Sequence, residues 1–223
     1  MSAIDTKYFM TQEQGVFLAN RNVAEYIFDS AKLTGCSITL VETQMILNGQ
    51  NVGHLSLHDI LRVLNLRTAW NYMLATLGSE FDFDYLCKIN ARVVRSDNFE
   101  CGKLRTKKAK PIYGTSYVPQ LPVRQEVDAE LTRLLSLPDA QESAFKLFLW
   151  MYKAHLFVDG NMRTGWICAN RRLLEGESGI LTIKGSHIKE FKKRLTSFCE
   201  AQDTYEDASL EQWLCDNCLV SLS

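Results

Sequence analysis

The strongest constraint on the fold of this 223-residue chain is an apolar and aromatic stretch at residues 143–154. The five consecutive apolar residues from Leu147 to Met151 point in all directions around a helix, which is typical of a helix buried on every side. A second stretch of helical length follows at 164–175. The sequence therefore predicts two central helices, joined by a loop that contains the intervening polar residues.

The distribution of proline favours helix over most of the chain. Three of the four prolines fall at Pro111, Pro119 and Pro122, where they break helix and fit extended structure. We therefore predict a mainly α protein with short β segments only around 110–117. Further helices are predicted at 11–29 (with a capping box of Thr11 and Gln14), 40–47, 56–77, 81–94, 123–135, 186–201 and 206–220.

Composition excludes several classes of function. A net charge of −1 argues against a nucleic-acid-binding surface, and Lys146 interrupts the longest apolar run, so no membrane span is expected. The N-terminal residues lack an apolar signal region, and seven cysteines without dense spacing indicate free thiols, so we expect a cytoplasmic protein. Cys215 and Cys218 have no partner pair for zinc and fit an amphipathic final helix better.

The loop between the central helices concentrates groups that suit phosphate binding and proton removal. Gly160 permits a turn that presents backbone N–H groups at the start of the next helix, a site that favours anions. Arg163 can bind phosphate oxygens, Asp159 is a carboxylate of the kind magnesium prefers, and His155 can accept a proton near neutral pH. The simpler alternative is a structural histidine next to an ordinary Asp-Gly-Asn turn.

These residues resemble the Fic (Fido superfamily) signature His-x-Phe-x-(Asp/Glu)-Gly-Asn-Gly-Arg-x-x-Arg. The matching positions are His155, Phe157, Asp159, Gly160, Asn161 and Arg163. Met162 replaces the third-position glycine and Trp166 replaces the second arginine; we expect both to fill the core rather than to bind a ligand.

The resemblance extends beyond the loop. Residues 102–105 and 111–119 look like the flap hairpin of the family, 55–72 like its preceding helix, and 30–42 like its N-terminal inhibitory region. It implies a mainly α Fic fold with a short β-hairpin flap over the active-site loop. It also implies one domain over 1–223, divided into an N-terminal helical region (1–54), a Fic core (55–200) and a C-terminal helix (201–223).

The activity that the resemblance implies is transfer of AMP from ATP to a hydroxyl side chain (Ser, Thr or Tyr) of a target protein, which would dock on the flap as an added strand. His155 would be the general base and Asp159 would hold Mg²⁺. The remaining expected binding residues are Phe157 as an anchor of the loop, Gly160, Asn161, Met162 and Arg163 around the phosphates, and Asn170 near the nucleotide. No nucleic-acid or membrane partner is expected, and homo-oligomerisation stays open.

One pair of departures has a common physical reading. In the family, the glutamate of the inhibitory motif pairs with the second arginine of the loop motif. In this chain Thr34 replaces that glutamate and Trp166 replaces that arginine. Losing one partner of a buried ion pair is costly, whereas replacing both can be nearly neutral, so we predict that this form of self-inhibition is lost.

Three functions remain open: an adenylyltransferase, a transferase with another phosphate-containing donor, and a non-catalytic binding module. The basic run at 103–110 reads as a solvated turn, or alternatively as a contact for an acidic target or phosphate.

Overall fold

A computed structural model describes residues 9–95, 100–201 and 205–222 of the chain. Within these residues the chain is mainly helical, as predicted, with one two-stranded antiparallel sheet. The elements are α1 (Gln12–Arg21), α2 (Val23–Leu33), α3 (Leu40–Leu47), α4 (Leu57–Ala75), α5 (Phe83–Val93), α6 (Arg124–Leu135), α7 (Ala140–Ala154), α8 (Asn161–Glu175), β1 (Ile180–Leu181), a 3₁₀ turn (Gly185–His187), α9 (Ile188–Glu200), α10 (Ala208–Cys218) and β2 (Leu219–Val220).

The core is built around α7 and α8, which pack against each other, while α4 and α5 cover α8. Nearly every side chain of α7 is buried, which confirms the prediction from its apolar sequence. Even Lys153 is 1% exposed, and its Nζ donates to the Phe198 and Ala201 carbonyls at 3.0 and 2.6 Å. The loop that joins α7 to α8 is therefore held by two helices with little freedom to move.

Several helix boundaries differ from the prediction. The helix expected at 206–220 ends at Cys218, because the chain becomes extended there and forms β2. The helix expected at 11–29 is interrupted at Asn22 and continues as α2, although its capping box forms as predicted: the Gln14 N–H donates to Thr11 Oγ1 at 3.2 Å and Thr11 N–H to Gln14 Oε1 at 3.0 Å. The second central helix begins at Asn161 rather than Thr164, because Gly160 adopts the N-cap position. The residues at 161–163 therefore lie in the first helical turn and not in the loop.

The β structure lies elsewhere than the sequence indicated. Residues 110–117 form a turn closed by a 3.0 Å hydrogen bond from the Ile112 N–H to the Tyr117 carbonyl, without ladder pairing. Pro111 has no N–H to donate, so this segment is a poor ladder strand. The sheet instead pairs Ile180 with Val220 and links the end of α8 to the C-terminal region. Among the described helices, none combines the length and the apolar character that crossing a bilayer requires.

Trp166 lies in the core, as predicted. Its side chain is 2% exposed and stacks on Trp70, with ring centroids 4.9 Å apart and planes inclined by 21°. The indole N–H donates to the Leu181 carbonyl at 2.7 Å. Trp166 therefore joins α8 to α4 and β1.

Candidate active site

The loop between α7 and α8 forms one wall of a cleft of about 170 Å³. The end of α2, α4 and α7 also contribute residues to its lining. The lining residues are Thr34, Arg62, Tyr152, His155, Asp159, Gly160, Asn161, Met162 and Arg163. The structure thus brings together every predicted site residue except Phe157 and Asn170.

His155 ends α7 in a left-handed backbone conformation, with φ 51° and ψ 56°. Histidine is one of the few non-glycine residues that adopt this conformation with some frequency. The imidazole Nδ1 is buried and makes no hydrogen bond to any described residue. Burial and, next, the positive charge of Arg105 lower the pKa of His155, while Asp159 acts in the opposite direction. The imidazole is therefore neutral at pH 7 and able to accept a proton.

Gly160 is required by the geometry of the loop. Its φ of 77° is in the left-handed region, and a Cβ built on it would lie 2.5 Å from Val94 Cγ1. As the N-cap of α8 it has no side chain to accept a hydrogen bond from the first turn. The backbone N–H groups at this helix end are therefore available to an anion, which the helix dipole also favours.

Asp159 and Arg163 form an ion pair across the first turn of α8. Arg163 Nη2 lies 3.2 Å from Asp159 Oδ2, and the Gly160 N–H donates to Asp159 Oδ1 at 2.6 Å. The Arg163 side chain is 4% exposed whereas that of Asp159 is 52% exposed. Asp159 therefore presents its carboxylate to the cleft while Arg163 supports it from beneath.

A magnesium ion fits this arrangement only together with a phosphate ligand. Among the described residues, no group of three or more His, Cys, Asp or Glu side chains is placed to hold a metal. Mg²⁺ in phosphate-transfer sites is commonly bound by one or two carboxylates, water and substrate phosphates. The half-exposed carboxylate of Asp159 can supply that protein ligand.

Asn161 closes the loop onto itself. Its Oδ1 accepts from the Phe157 N–H and its Nδ2 donates to the Phe157 carbonyl, both at 2.8 Å. Phe157 is fully buried and lies nearly parallel to Phe83, with ring centroids 6.3 Å apart. Phe157 is thus buried in the way expected of an anchor of the loop. The oxygen and the nitrogen of the Asn161 amide both bond to the Phe157 backbone, so this side chain shapes the loop.

Asn170 does not reach the cleft. It is fully buried, its Nδ2 donates to the Leu181 and Trp166 carbonyls at 3.0 Å, and its Oδ1 accepts from the Leu181 N–H at 2.8 Å. This side chain ties β1 to α8. That Asn170 lies near the nucleotide stays a prediction; in the structure the polar atoms of its side chain bond to the backbone.

Asn90 on α5 is a supporting residue that the sequence analysis missed. It is 1% exposed, and its Nδ2 donates to the Asp159 carbonyl at 2.9 Å and to Thr164 Oγ1 at 3.1 Å. Its Oδ1 accepts from the Gly102 N–H at 2.9 Å. The available signal was an amide on the buried face of an otherwise apolar helix pattern.

Arg105 is the exception to the interpretation of the basic run at 103–110 as a solvated turn. Its side chain is 4% exposed, whereas the other basic residues of the run are exposed as expected: Lys103, Lys107, Lys108 and Lys110. The Nε of Arg105 donates to the His155 carbonyl at 2.6 Å, and its Nη atoms donate to the carbonyls of Lys107, Pro119 and Gln120. Arg105 therefore fastens both ends of the segment at 105–120 to the backbone of the candidate base.

Thr34 lies in the cleft, at the C-cap of α2. Its hydroxyl donates to the Ser30 and Ala31 carbonyls at 3.0 and 3.2 Å, so it is turned towards its own helix. Its carbonyl accepts from Arg62 Nη1 at 3.2 Å. The side chain of Thr34 therefore makes no hydrogen bond to the loop between α7 and α8 among the described residues.

Comparison with known proteins gives a consistent result. Residues 80–173 match the model of the Fic/DOC family. Fic-1 from C. elegans superposes with a TM-score of 0.74 at 18% identity, over 90% of this chain and 63% of that protein's chain. A Fic-domain signalling protein from Bacteroides thetaiotaomicron gives 0.74 at 17% identity, over 93% and 86%. A Fic family protein from Desulfovibrio desulfuricans gives 0.70 at 17% identity, over 90% and 64%.

At these identities the superpositions establish the fold. The chain spans less than two thirds of the length of the C. elegans protein it matches. A comparison with curated proteins finds no significant match in sequence. The segment at 80–173 that matches the Fic/DOC family model contains the cleft-forming loop, and the chain around it has the fold of the Fic proteins.

Proposed function

We propose that the chain is a Fic-fold transferase that moves AMP from ATP to a hydroxyl side chain of a target protein. The observation that supports this most directly is the convergence on one cleft of a neutral imidazole (His155), an exposed carboxylate (Asp159) and a helix N-terminus without a side-chain cap. Transfer of a phosphoryl-type group depends mainly on positioning and charge stabilisation, which these groups supply.

In the proposed reaction His155 removes the proton from the target hydroxyl. The oxygen attacks the α-phosphorus, the bond to the bridging oxygen breaks, and pyrophosphate leaves with its charge held in the cleft. Backbone N–H groups at the start of α8 stabilise the α-phosphate oxygens, and Gly160 allows them to approach closely. Bound magnesium, held by Asp159 and the phosphates, would neutralise part of the charge that develops.

The target segment is proposed to dock on the turn at 110–119. Tyr113 at its tip is 98% exposed. Ser116 is fixed by Glu200, which accepts from its N–H at 2.6 Å and from its hydroxyl at 2.7 Å. Because this segment is held at its base by Arg105 and pairs with no strand in the part of the chain that the structure describes, its backbone can pair with an extended peptide.

Loss of self-inhibition is part of the proposal. A glutamate at position 34 would place a carboxylate beside Arg62, in the path of the phosphates. Thr34 supplies no such charge, and Trp166 is stacked in the core rather than paired with an acid. The cleft is therefore open to an anion without any displacement of α2.

The test is label transfer from ATP that carries isotope at the α-phosphate or at the γ-phosphate, in the presence of Mg²⁺ and a lysate of potential targets. We expect protein labelling from the α position only, abolished in His155→Ala. His54→Ala is the matched control, because His54 lies outside the cleft and contacts Glu42. Labelling from the γ position would indicate a kinase, and no labelling would favour another phosphate-containing donor or a binding module.

A further inference from the structure

The turn at 110–119 rests on α9. A Cβ built on Gly114 would lie 4.0 Å from Thr196 Oγ1, and Glu200 accepts from the Ser116 N–H at 2.6 Å and from its hydroxyl at 2.7 Å. Thr196 and Glu200 are four residues apart and so lie on the same face of the helix. That face of α9 therefore continues the surface on which the target segment is proposed to dock.

Six exposed lysines lie on α9 and on the chain that leads into the turn, three on each. On α9 the lysines stand seven, four and three residues before Thr196, and these spacings put them on the face that meets the turn. The other three fall within four consecutive residues before the turn. These six residues, which we call the lysine patch, are Lys107, Lys108, Lys110, Lys189, Lys192 and Lys193.

The lysine patch carries more positive charge than its neighbours balance. Among the described residues, no ion pair joins a lysine of the patch to a carboxylate. Of the two glutamates on α9, Glu190 pairs with Arg194 at 2.9 Å, which leaves Glu200, itself hydrogen-bonded to Ser116. Residues 101–125 contain six basic residues and no acidic one, although the whole chain has a net charge of −1. Positive charge is therefore concentrated beside the turn.

A short acidic segment fits this surface better than an extended polyanion does. Exposed charges interact over about 8–10 Å at physiological salt, so a peptide beside the turn experiences mainly the patch. A nucleic acid or a membrane would also meet the rest of a chain whose net charge is −1. Lys110 and Lys192 are at most about 26 Å apart along the two elements, which about eight residues of extended chain span. One segment paired with the turn can therefore reach lysines of both elements.

We propose that the lysine patch binds acidic residues of the target segment, so that the protein selects hydroxyl side chains with aspartate or glutamate nearby in sequence. This inference rests on the proposed function, because the same segment pairs with the turn and presents its hydroxyl to His155. Arg105 donates to the His155 carbonyl and so links the docking surface to the base. The lysines are binding residues and take no part in proton transfer.

The experiment measures the binding of three labelled peptides of that length to the full chain by fluorescence anisotropy, at low and at high salt. Each peptide carries Ser-Thr-Tyr at its centre, flanked by glutamates, by glutamines or by lysines. The variants are Lys110→Glu and Lys192→Glu, with Lys88→Glu as the control. Lys88 is exposed on α5, outside the patch, and its reversal changes the net charge by the same amount.

We expect the glutamate peptide to bind more tightly than the glutamine peptide, and the lysine peptide not to bind. Each reversal in the patch should weaken the glutamate peptide by about 3- to 10-fold at low salt, because a single exposed charge pair contributes little, and by less at high salt. The control should bind like the wild type. A glutamate peptide that binds no better than the glutamine peptide overturns the inference.

Three other results would also overturn it. Lys88→Glu could weaken the glutamate peptide as much as the patch variants do, which would be an effect of net charge alone. Equal weakening of the glutamine peptide would show that the lysines act through the fold. Tighter binding of a single-stranded oligonucleotide or of anionic vesicles, lost in the same variants, would assign the patch to a different partner. A thermal melt of each variant shows that it is folded, and Lys110→Gln or Lys192→Gln replaces a reversal that unfolds.

Label transfer from α-labelled ATP to the same peptides separates this inference from the proposed function. Transfer without preference for the glutamate peptide leaves the proposed function standing and overturns the inference. Binding of the glutamate peptide through the patch without any transfer leaves the acidic docking surface standing, and the proposed transfer of AMP fails.

Discussion

Replacement of Asn90 by alanine should loosen the candidate site by removing its support from below. Three hydrogen bonds disappear, to the Asp159 carbonyl, the Thr164 hydroxyl and the Gly102 N–H. At about 1 kcal/mol net for each bond, the loss is roughly 3 kcal/mol. Alanine is a better helix former than asparagine by about 0.5 kcal/mol, so the free energy of unfolding should fall by roughly 2.5 kcal/mol.

The measurement is urea-induced unfolding followed by far-UV circular dichroism. Asn71→Ala is the matched control, since Asn71 lies on the exposed side of α4 and accepts a single hydrogen bond from the described residues, from Arg67 Nε. We expect the control to stay within about 0.5 kcal/mol of the wild type. If Asn90→Ala also stays within that margin, its three hydrogen bonds do not stabilise the loop and the reasoning is refuted. Label transfer should fall together with stability, because the Asp159 carbonyl loses its anchor.

Three further predictions concern the loop and the cleft that it lines. NMR titration should give His155 a pKa below its usual value of about 6.5, and Asp159→Asn should lower that pKa further, because the carboxylate raises it. Transfer activity of the wild type should then persist as the pH falls to about 6.5 and decline only below the lowered pKa. A measured His155 pKa above about 6.5 would contradict the prediction. Gly160→Ala should lower the free energy of unfolding in urea by more than about 1–2 kcal/mol, because an alanine in the left-handed conformation is strained and its Cβ would meet Val94. A free energy of unfolding equal to that of the wild type would show that the loop can relax. Thr34→Glu should reduce labelling from ATP, with Thr34→Gln as the uncharged control; equal activity of the two would rule out a charge effect.

The sequence was sufficient to place the chemistry of the loop, because nine consecutive residues hold the base, the carboxylate and the guanidinium. It was not sufficient to assign Asn161 and Asn170. Both are amides with a polar role, but whether such a side chain faces a ligand or a backbone carbonyl depends on the tertiary structure. Asn170 meets the backbone of Leu181, eleven residues along the chain, once β1 folds back onto α8.

The supporting residues escaped prediction for the same reason. Arg105 sits in a basic run, which on average is solvated, yet its partners are carbonyl groups that only the folded chain brings near, including that of His155. Helices were predicted well where a cap and a hydrophobic face agreed, as at Ser56 and along α7. The interruption at Asn22 and the early start of α8 depended on backbone conformation at single residues, which periodicity does not report.

The buried guanidinium of Arg105 also shapes the electrostatic potential of the cleft. The loop joins the C-terminus of α7 to the N-terminus of α8, so a helix end that repels anions lies next to one that attracts them. Arg105 binds the carbonyl of His155, the C-cap of α7, and so neutralises the repelling end. An incoming phosphate therefore experiences the positive end of α8 with little opposition from α7, although the two helix ends are only a short loop apart.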